Sequence, residues 1–282
     1  MHALPFLLAL AGAAALAPAL LRTLQQGGHV RSNYRGRELP VPLGLLVPAA
    51  ALLSLVPLLL IARLAPADVF HPETATVALY ALGVLLLGLI DDAFGTEGED
   101  GHGAPAKRGW RGHAAAVARG ELSTGALKAA GSLGLALLAM DQLGLSDGRW
   151  LLAAGVLVLA TNVFNLLDLR PGRSGKAFVL LGAALTIGSG LRPLWALGLF
   201  AAPALVACAY DLRERAMLGD TGSNLLGALA GLWLVLTLSG TGQLIALFLL
   251  AAITVYGELR SISALIERTP GLRELDSLGR PS

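Results

Sequence analysis

The sequence predicts an all-α, polytopic membrane bundle of about nine transmembrane helices, with its N-terminus outside and its C-terminus cytoplasmic. Three observations predict it. Of 282 residues, 55% are hydrophobic and only 14% charged, with a mean hydropathy of +0.68, whereas a soluble domain carries about 25% charge. The apolar residues gather into nine runs close to the roughly 20 residues that a spanning helix needs. The lysines and arginines are distributed very unevenly between alternate loops.

The first run, 3–23, has its only charge, Arg22, after the apolar stretch. A signal peptide carries its positive charge before that stretch, so the segment is expected to remain as a helix. The further runs are 41–62, 74–91, 124–143, 149–168, 176–190, 192–210, 221–239 and 243–261. Pro48, Pro57 and Pro203 fall inside them and predict kinks, which neighbouring helices can tolerate by satisfying the freed carbonyls. Gly227 and Gly231, spaced G-x-x-x-G, predict a close helix contact. The longest polar stretch, 92–123, reads as a mobile cytoplasmic loop. A single domain over 1–261 is followed by a polar tail, 262–282, expected to be cytoplasmic.

With the N-terminus outside, 17 of the 21 basic residues fall in the inner loops and tail. Only Arg63, Arg149 and Arg192 lie outside, and Lys128 sits near the inner end of the fourth run. That asymmetry obeys the positive-inside rule. The net charge of +2 and the lack of a contiguous basic face argue against a nucleic-acid partner. The lone Cys208 excludes a disulfide framework or cysteine-rich zinc site and reads as a small buried hydrophobe. His2, His29, His71, His102 and His113 have no ligand spacing and read as solvated loop histidines.

The chemistry is carried by acids at the ends of the runs. A carboxylate there is costly to bury and marks a site. Gly88-Leu89-Ile90-Asp91-Asp92 closes the third run, Asn162-x-x-Asn165-x-x-Asp168 the fifth, the seventh runs into Asp211, and Gly219-Asp220-Thr221-Gly222-Ser223 opens the eighth. The topology places all of them at the cytoplasmic face. Such acids repel one another unless a divalent cation compensates them, and magnesium, with its hard oxygen ligands, is the natural candidate. Residues 162, 165 and 168 recur every three positions and share a helix face. Asp220 at a helix start either caps that helix or lies beside a phosphate-binding N-terminus. An ion or solute transporter would place its acids near the midplane, between internal repeats, and neither feature is seen.

With these motifs in place, the chain resembles the polyprenyl-phosphate N-acetylhexosamine-1-phosphate transferases, whose members include phospho-N-acetylmuramoyl-pentapeptide transferase. The resemblance spans roughly 30–260. It rests on Leu89-Ile90-Asp91-Asp92-Ala93-Phe94-Gly95, on the Asn162 to Asp168 motif and on Leu218-Gly219-Asp220-Thr221-Gly222-Ser223, in that order at helix ends. Arg37-Glu38-Leu39-Pro40-Val41-Pro42-Leu43-Gly44 is similar to the segment that opens the family's second helix. The resemblance implies transfer of a sugar-1-phosphate from a UDP-N-acetyl sugar to undecaprenyl phosphate, releasing UMP, in cell-wall or peptidoglycan-type glycan synthesis at a bacterial cytoplasmic membrane. It implies Mg2+ as cofactor, membrane lipid as surroundings, and a homodimer as a candidate assembly. Carried over, Asp91, Asp92 and Asp168 would be catalytic, Asp220 and Asp91 would hold the metal, and Asn162, Asn165, Lys128 and Arg37 would meet substrate, an interfacial snorkelling lysine being the other reading of Lys128.

The chain also departs from the family pattern. After Asp168 the second aspartate of the family motif is missing, and Arg170, Arg173 and Lys176 enter instead. Arginine suits diphosphate recognition, so Arg170 and Arg173 join the expected substrate contacts. The family's histidine-rich loop after the ninth helix is absent, and the residue two before Gly219 is Met217 where an aromatic is usual. These departures point to a divergent paralogue, with a catalytically silent relative that binds the lipid carrier or a partner enzyme as the alternative.

Overall fold

The structure, a computed structural model, describes residues 1–65, 67–94 and 124–281. His102, His113, Lys107, Arg108, Arg111, Arg119 and Gly95 lie outside the described residues, as does most of the expected 92–123 loop. Residues 92–94 belong to a helix and not to the expected loop.

The described chain is helical except for one small hairpin. Helix α1 (Leu4–Gln26) leads into strands β1 (Val30–Ser32) and β2 (Glu38–Pro40), then a 3-10 turn (Leu43–Leu45) running into α2 (Leu46–Leu64). There follow α3 (Thr74–Phe94), α4 (Thr124–Gln142), α5 (Asp147–Leu167), α6 (Arg173–Ser189), α7 (Arg192–Leu212), α8 (Gly219–Thr237) and α9 (Gly240–Leu259). Two short helices, α10 (Ile262–Arg268) and α11 (Pro270–Ser277), make up the tail. Each of the nine apolar runs is thus a helix of at least 17 residues. Among the described residues, six helices are long and apolar enough to cross a membrane: α1, α2 with its leading 3-10 turn, α3, α5, α7 and α9. Helices α1, α2 and α7 continue past Pro18, Pro57 and Pro203.

The bundle is built around α8. Every residue from Thr221 to Val235 is buried, the pattern of a helix enclosed on all sides. It packs chiefly on α5 and α3, with α6 and α7 closing the circle. Small residues set the spacing. A Cβ on Gly227 would stand 2.5 Å from Thr161 Cα, and one on Gly231 would stand 3.1 Å from Leu157 Cα, so the G-x-x-x-G pair does bring α8 against α5. At the periphery the polarity is inverted relative to a soluble protein. On α2, Leu52, Leu53, Val56, Leu59 and Leu60 are exposed, and on α9, Ile245, Phe248, Leu249 and Val255. Contiguous exposed apolar surface of this extent is a membrane-facing signature.

The hairpin was not foreseen from hydropathy. Its strands pair Val30 with Pro40 and Ser32 with Glu38, and its tip is tied by Asn33 Oδ1, which accepts from the backbone N–H of Arg35 and Arg37 at 2.9 and 3.0 Å. Asn33 followed by Gly36, with φ +74°, is the turn signal that marks it. One expectation is overturned at the end of the bundle opposite the aspartates. His71 is buried, paired with Glu73, and accepts from Arg192 Nε at 3.3 Å, because the start of α7 packs over it.

Candidate active site

The ends of α3, α4, α5 and α8 converge. Lys128 Nζ on α4 donates to Asp91 Oδ2 on α3 and to Asp220 Oδ2 on α8, each at 2.7 Å. Asp220 Oδ1 accepts from Asn165 Nδ2 on α5 at 2.9 Å, and the same amide reaches Ser223 Oγ at 3.4 Å. Four residues singled out in three separate motifs and one isolated lysine therefore form one connected network.

Asp92 behaves differently from its neighbour. Its Oδ1 accepts from the backbone N–H of Asp220 at 3.0 Å, and its Oδ2 from the N–H and hydroxyl of Thr221 at 2.8 and 2.6 Å. The first N–H groups of a helix have no partner within it, and no side chain preceding α8 supplies one. Asp92 provides the cap from another helix. Two consequences follow. The Asp92 carboxylate, 6% exposed and also 3.7 Å from Arg31 Nη1, is bonded to the start of α8, a structural role the sequence did not indicate. The capping role weighed for Asp220 is corrected, because Asp92 takes it and leaves the Asp220 side chain to face Lys128 and Asn165.

Backbone spacing makes the arrangement tight. Gly219 has φ +71°, and a Cβ there would meet Asp92 Oδ2 at 2.7 Å; a Cβ on Gly88 would meet the Asp220 carbonyl oxygen at 2.5 Å. The segment before α8 is held by ladder-like bonds to the hairpin and the 3-10 turn. Met217 N–H donates to the Pro40 carbonyl, and Leu43 N–H to that of Met217, both at 2.9 Å.

Beside the network opens a pocket of about 300 Å³. Its acids are Asp92, Asp168, Asp211 and Asp220, and its guanidinium groups are Arg31 and Arg170. Tyr34, Asn33, Met217 and Asn165 complete much of the wall. Asp211, noted in the sequence but given no role, is 2% exposed and accepts from Gly172 N–H at 2.6 Å, which fixes the loop after Asp168. Arg170 Cζ lies 5.3 Å from the centre of the Tyr34 ring.

Three expected substrate contacts point elsewhere. Asn162 donates to Thr254 Oγ1 on α9 at 3.2 Å, because one turn of helix carries it away from Asn165. Arg37 donates to Glu214 Oε2 at 3.1 Å; Glu214, with φ +50° and a fully buried side chain, gathers Asn33, Arg35 and Arg37 and pins the hairpin. Arg173, 5% exposed, donates to both oxygens of Asp276 in the tail, at 2.9 and 3.1 Å. Glu214 and Asp276 carry no motif, so the sequence offered no signal for either.

Among the described residues, no set of three or more His, Cys, Asp or Glu side chains is arranged to hold a metal ion. Asp91 and Asp220 do converge on one cationic centre, the Lys128 ammonium. Magnesium usually takes only one or two carboxylates, with waters and substrate phosphates completing its shell, so the donor set fits that ion. No protein-family model matches the chain, and no curated protein matches it.

Proposed function

We propose that the chain is a magnesium-dependent transferase that moves a sugar-1-phosphate from a UDP-N-acetyl sugar to a polyprenyl phosphate, releasing UMP. In this reading all nine long helices span a bacterial cytoplasmic membrane, and the aspartate network lies at its cytoplasmic face. The chain is then a divergent member of the polyprenyl-phosphate N-acetylhexosamine-1-phosphate transferases. The observation that carries the reading is the convergence of Asp91, Lys128, Asn165 and Asp220 beside a pocket with two arginines.

Phosphoryl transfer demands positioning and charge stabilisation more than covalent chemistry from the protein. Asp220 and Asp91 would hold the magnesium ion, which when bound supplies Lewis-acid stabilisation of the diphosphate. Lys128 bridges the two carboxylates and would offer its ammonium to a phosphate oxygen. Asn165 orients Asp220, and Arg31 and Arg170 offer guanidinium donors to a diphosphate. Asp168, in the pocket wall, would take the proton of a protonated lipid phosphate. Asp92 and Asp211 contribute by fixing backbone.

The test is transfer by the purified chain in detergent, with undecaprenyl phosphate, a panel of UDP-sugars, and magnesium or a chelator. Metal-dependent lipid product and released UMP are expected with one sugar. No turnover across the panel by a folded protein would leave the second reading, a silent relative that binds the carrier or a partner, which the commitment of Arg37 and Arg173 to Glu214 and Asp276 favours.

A further inference from the structure

The three basic residues that follow Asp168 and the tail that follows α9 belong to one structural unit. Arg170 pairs with Glu267 of α10. Arg173 pairs with Asp276 of α11, and Lys176 donates to the Leu275 and Asp276 carbonyls at 2.9 and 2.5 Å. Arg280 closes the set, donating to both oxygens of Asp276 and to the Pro171 carbonyl at 2.7 Å.

The two anchorages differ in kind. Arg173, Asp276 and Arg280 have side chains 5 to 8% exposed and are multiply bonded, so they dock the tail firmly. Arg170 and Glu267 are 29% and 50% exposed, and exposed pairs of this sort are weak and readily exchanged. Arg170 is also the residue that belongs to both places: it lines the pocket, lies over Tyr34 and touches the tail.

We infer that Glu267 is an internal competitor for the pocket, holding Arg170 on the tail until an anionic ligand takes it over. Docking of α11 through Asp276 keeps Glu267 at high effective concentration beside Arg170. The tail thereby sets how tightly the pocket takes a phosphate-bearing ligand. The inference rests on the reading of the pocket as a diphosphate site and deepens it by naming what tunes its affinity.

The test is equilibrium binding of UDP and of inorganic pyrophosphate to the full chain in detergent, at fixed free magnesium, for the parent protein, Glu267→Gln, Arg170→Gln and the double variant. Glu267→Gln should bind both probes about two- to five-fold more tightly, the scale of an exposed ion pair, and the gain should shrink at high salt. Arg170→Gln should bind more weakly, and adding Glu267→Gln to it should change nothing. Matching unfolding temperatures would show that all variants fold. Unchanged or weaker binding by Glu267→Gln, or unimpaired binding by Arg170→Gln, would overturn the competitor while leaving the pocket as an anion site. Failure of every variant to bind either probe would overturn both.

Discussion

The carboxylate of Asp92 at the end of α3 accepts a hydrogen bond from the backbone N–H of Asp220, 128 residues away, at 3.0 Å. Together with its two bonds to Thr221, it caps α8 and fixes the direction in which the Asp220 side chain leaves the backbone. Adjacent aspartates on α3 thus divide the work: Asp91 meets Lys128, and Asp92 builds the frame.

Asp92→Ala should therefore act on stability first. Loss of a helix N-cap costs about 0.5–2 kcal/mol, and the thermal midpoint in detergent should fall accordingly, with activity lost through displacement of Asp220. An Asp92→Ala protein with unchanged stability would contradict the capping role.

Asp220→Asn and Asp91→Asn should do the reverse. Both are at helix ends outside the packed core, so unfolding temperatures should stay near the parent value. Turnover should drop by about 10²-fold or more, the scale for removing one preorganised electrostatic group. Near-normal sugar-phosphate transfer in either variant would remove that residue from the site.

Gly88→Ala probes the contact between α3 and α8. The added methyl would stand 2.5 Å from the Asp220 carbonyl, and overpacking of this kind costs about 1–3 kcal/mol. The helices must part, so thermal stability and transfer should fall together, whereas Gly134→Ala inside α4, with open space around it, should lower neither and should raise stability slightly, since alanine is the better helix former.

The tail has a defined acid limit. Burial raises the Asp276 carboxyl, but hydrogen bonds from Arg173 and Arg280 outweigh it and lower the group to about 2, against about 3.9 for a free aspartate. A depressed folded value means that the group's contribution is complete above the free value and is lost as pH falls through the folded one. Hydrogen exchange in 270–280 should show protection that is unchanged from pH 7 to about 5 and declines towards pH 2. Asp276→Asn should lose that protection already at pH 7. An exposed tail in the parent protein at neutral pH would contradict the docking.

Much of the fold was legible because hydropathy is a local property. Each of the nine apolar runs coincides closely with a long helix among the described residues, six of them long and apolar enough to cross a membrane, and Gly227 and Gly231 face α5 as their spacing implied. The hairpin escaped because three-residue strands carry no periodicity, and only Asn33 and Gly36 marked its turn. His71 read as solvated since nothing near it in sequence announces that α7 covers it. The site was half legible. Asp91, Asn165 and Asp220 were found as acids and amides at helix ends, and Lys128 as a lone basic residue, but their shared network depends on side chains separated by 37 to 92 positions.

The sequence by itself determined that the chain is a helical bundle with apolar faces turned outward, where its helices lie, and which of their ends carry carboxylates. Composition and spacing suffice for that, because transfer from water acts on each segment alone. The tertiary structure decided what each charged group does: that Asp92 caps, that Asp220 is free to face Lys128, that Arg37 and Arg173 brace the scaffold, and that Arg170 is shared between pocket and tail. Those roles depend on which partner satisfies each buried charge, and the partners come from distant helices brought together only by packing around α8.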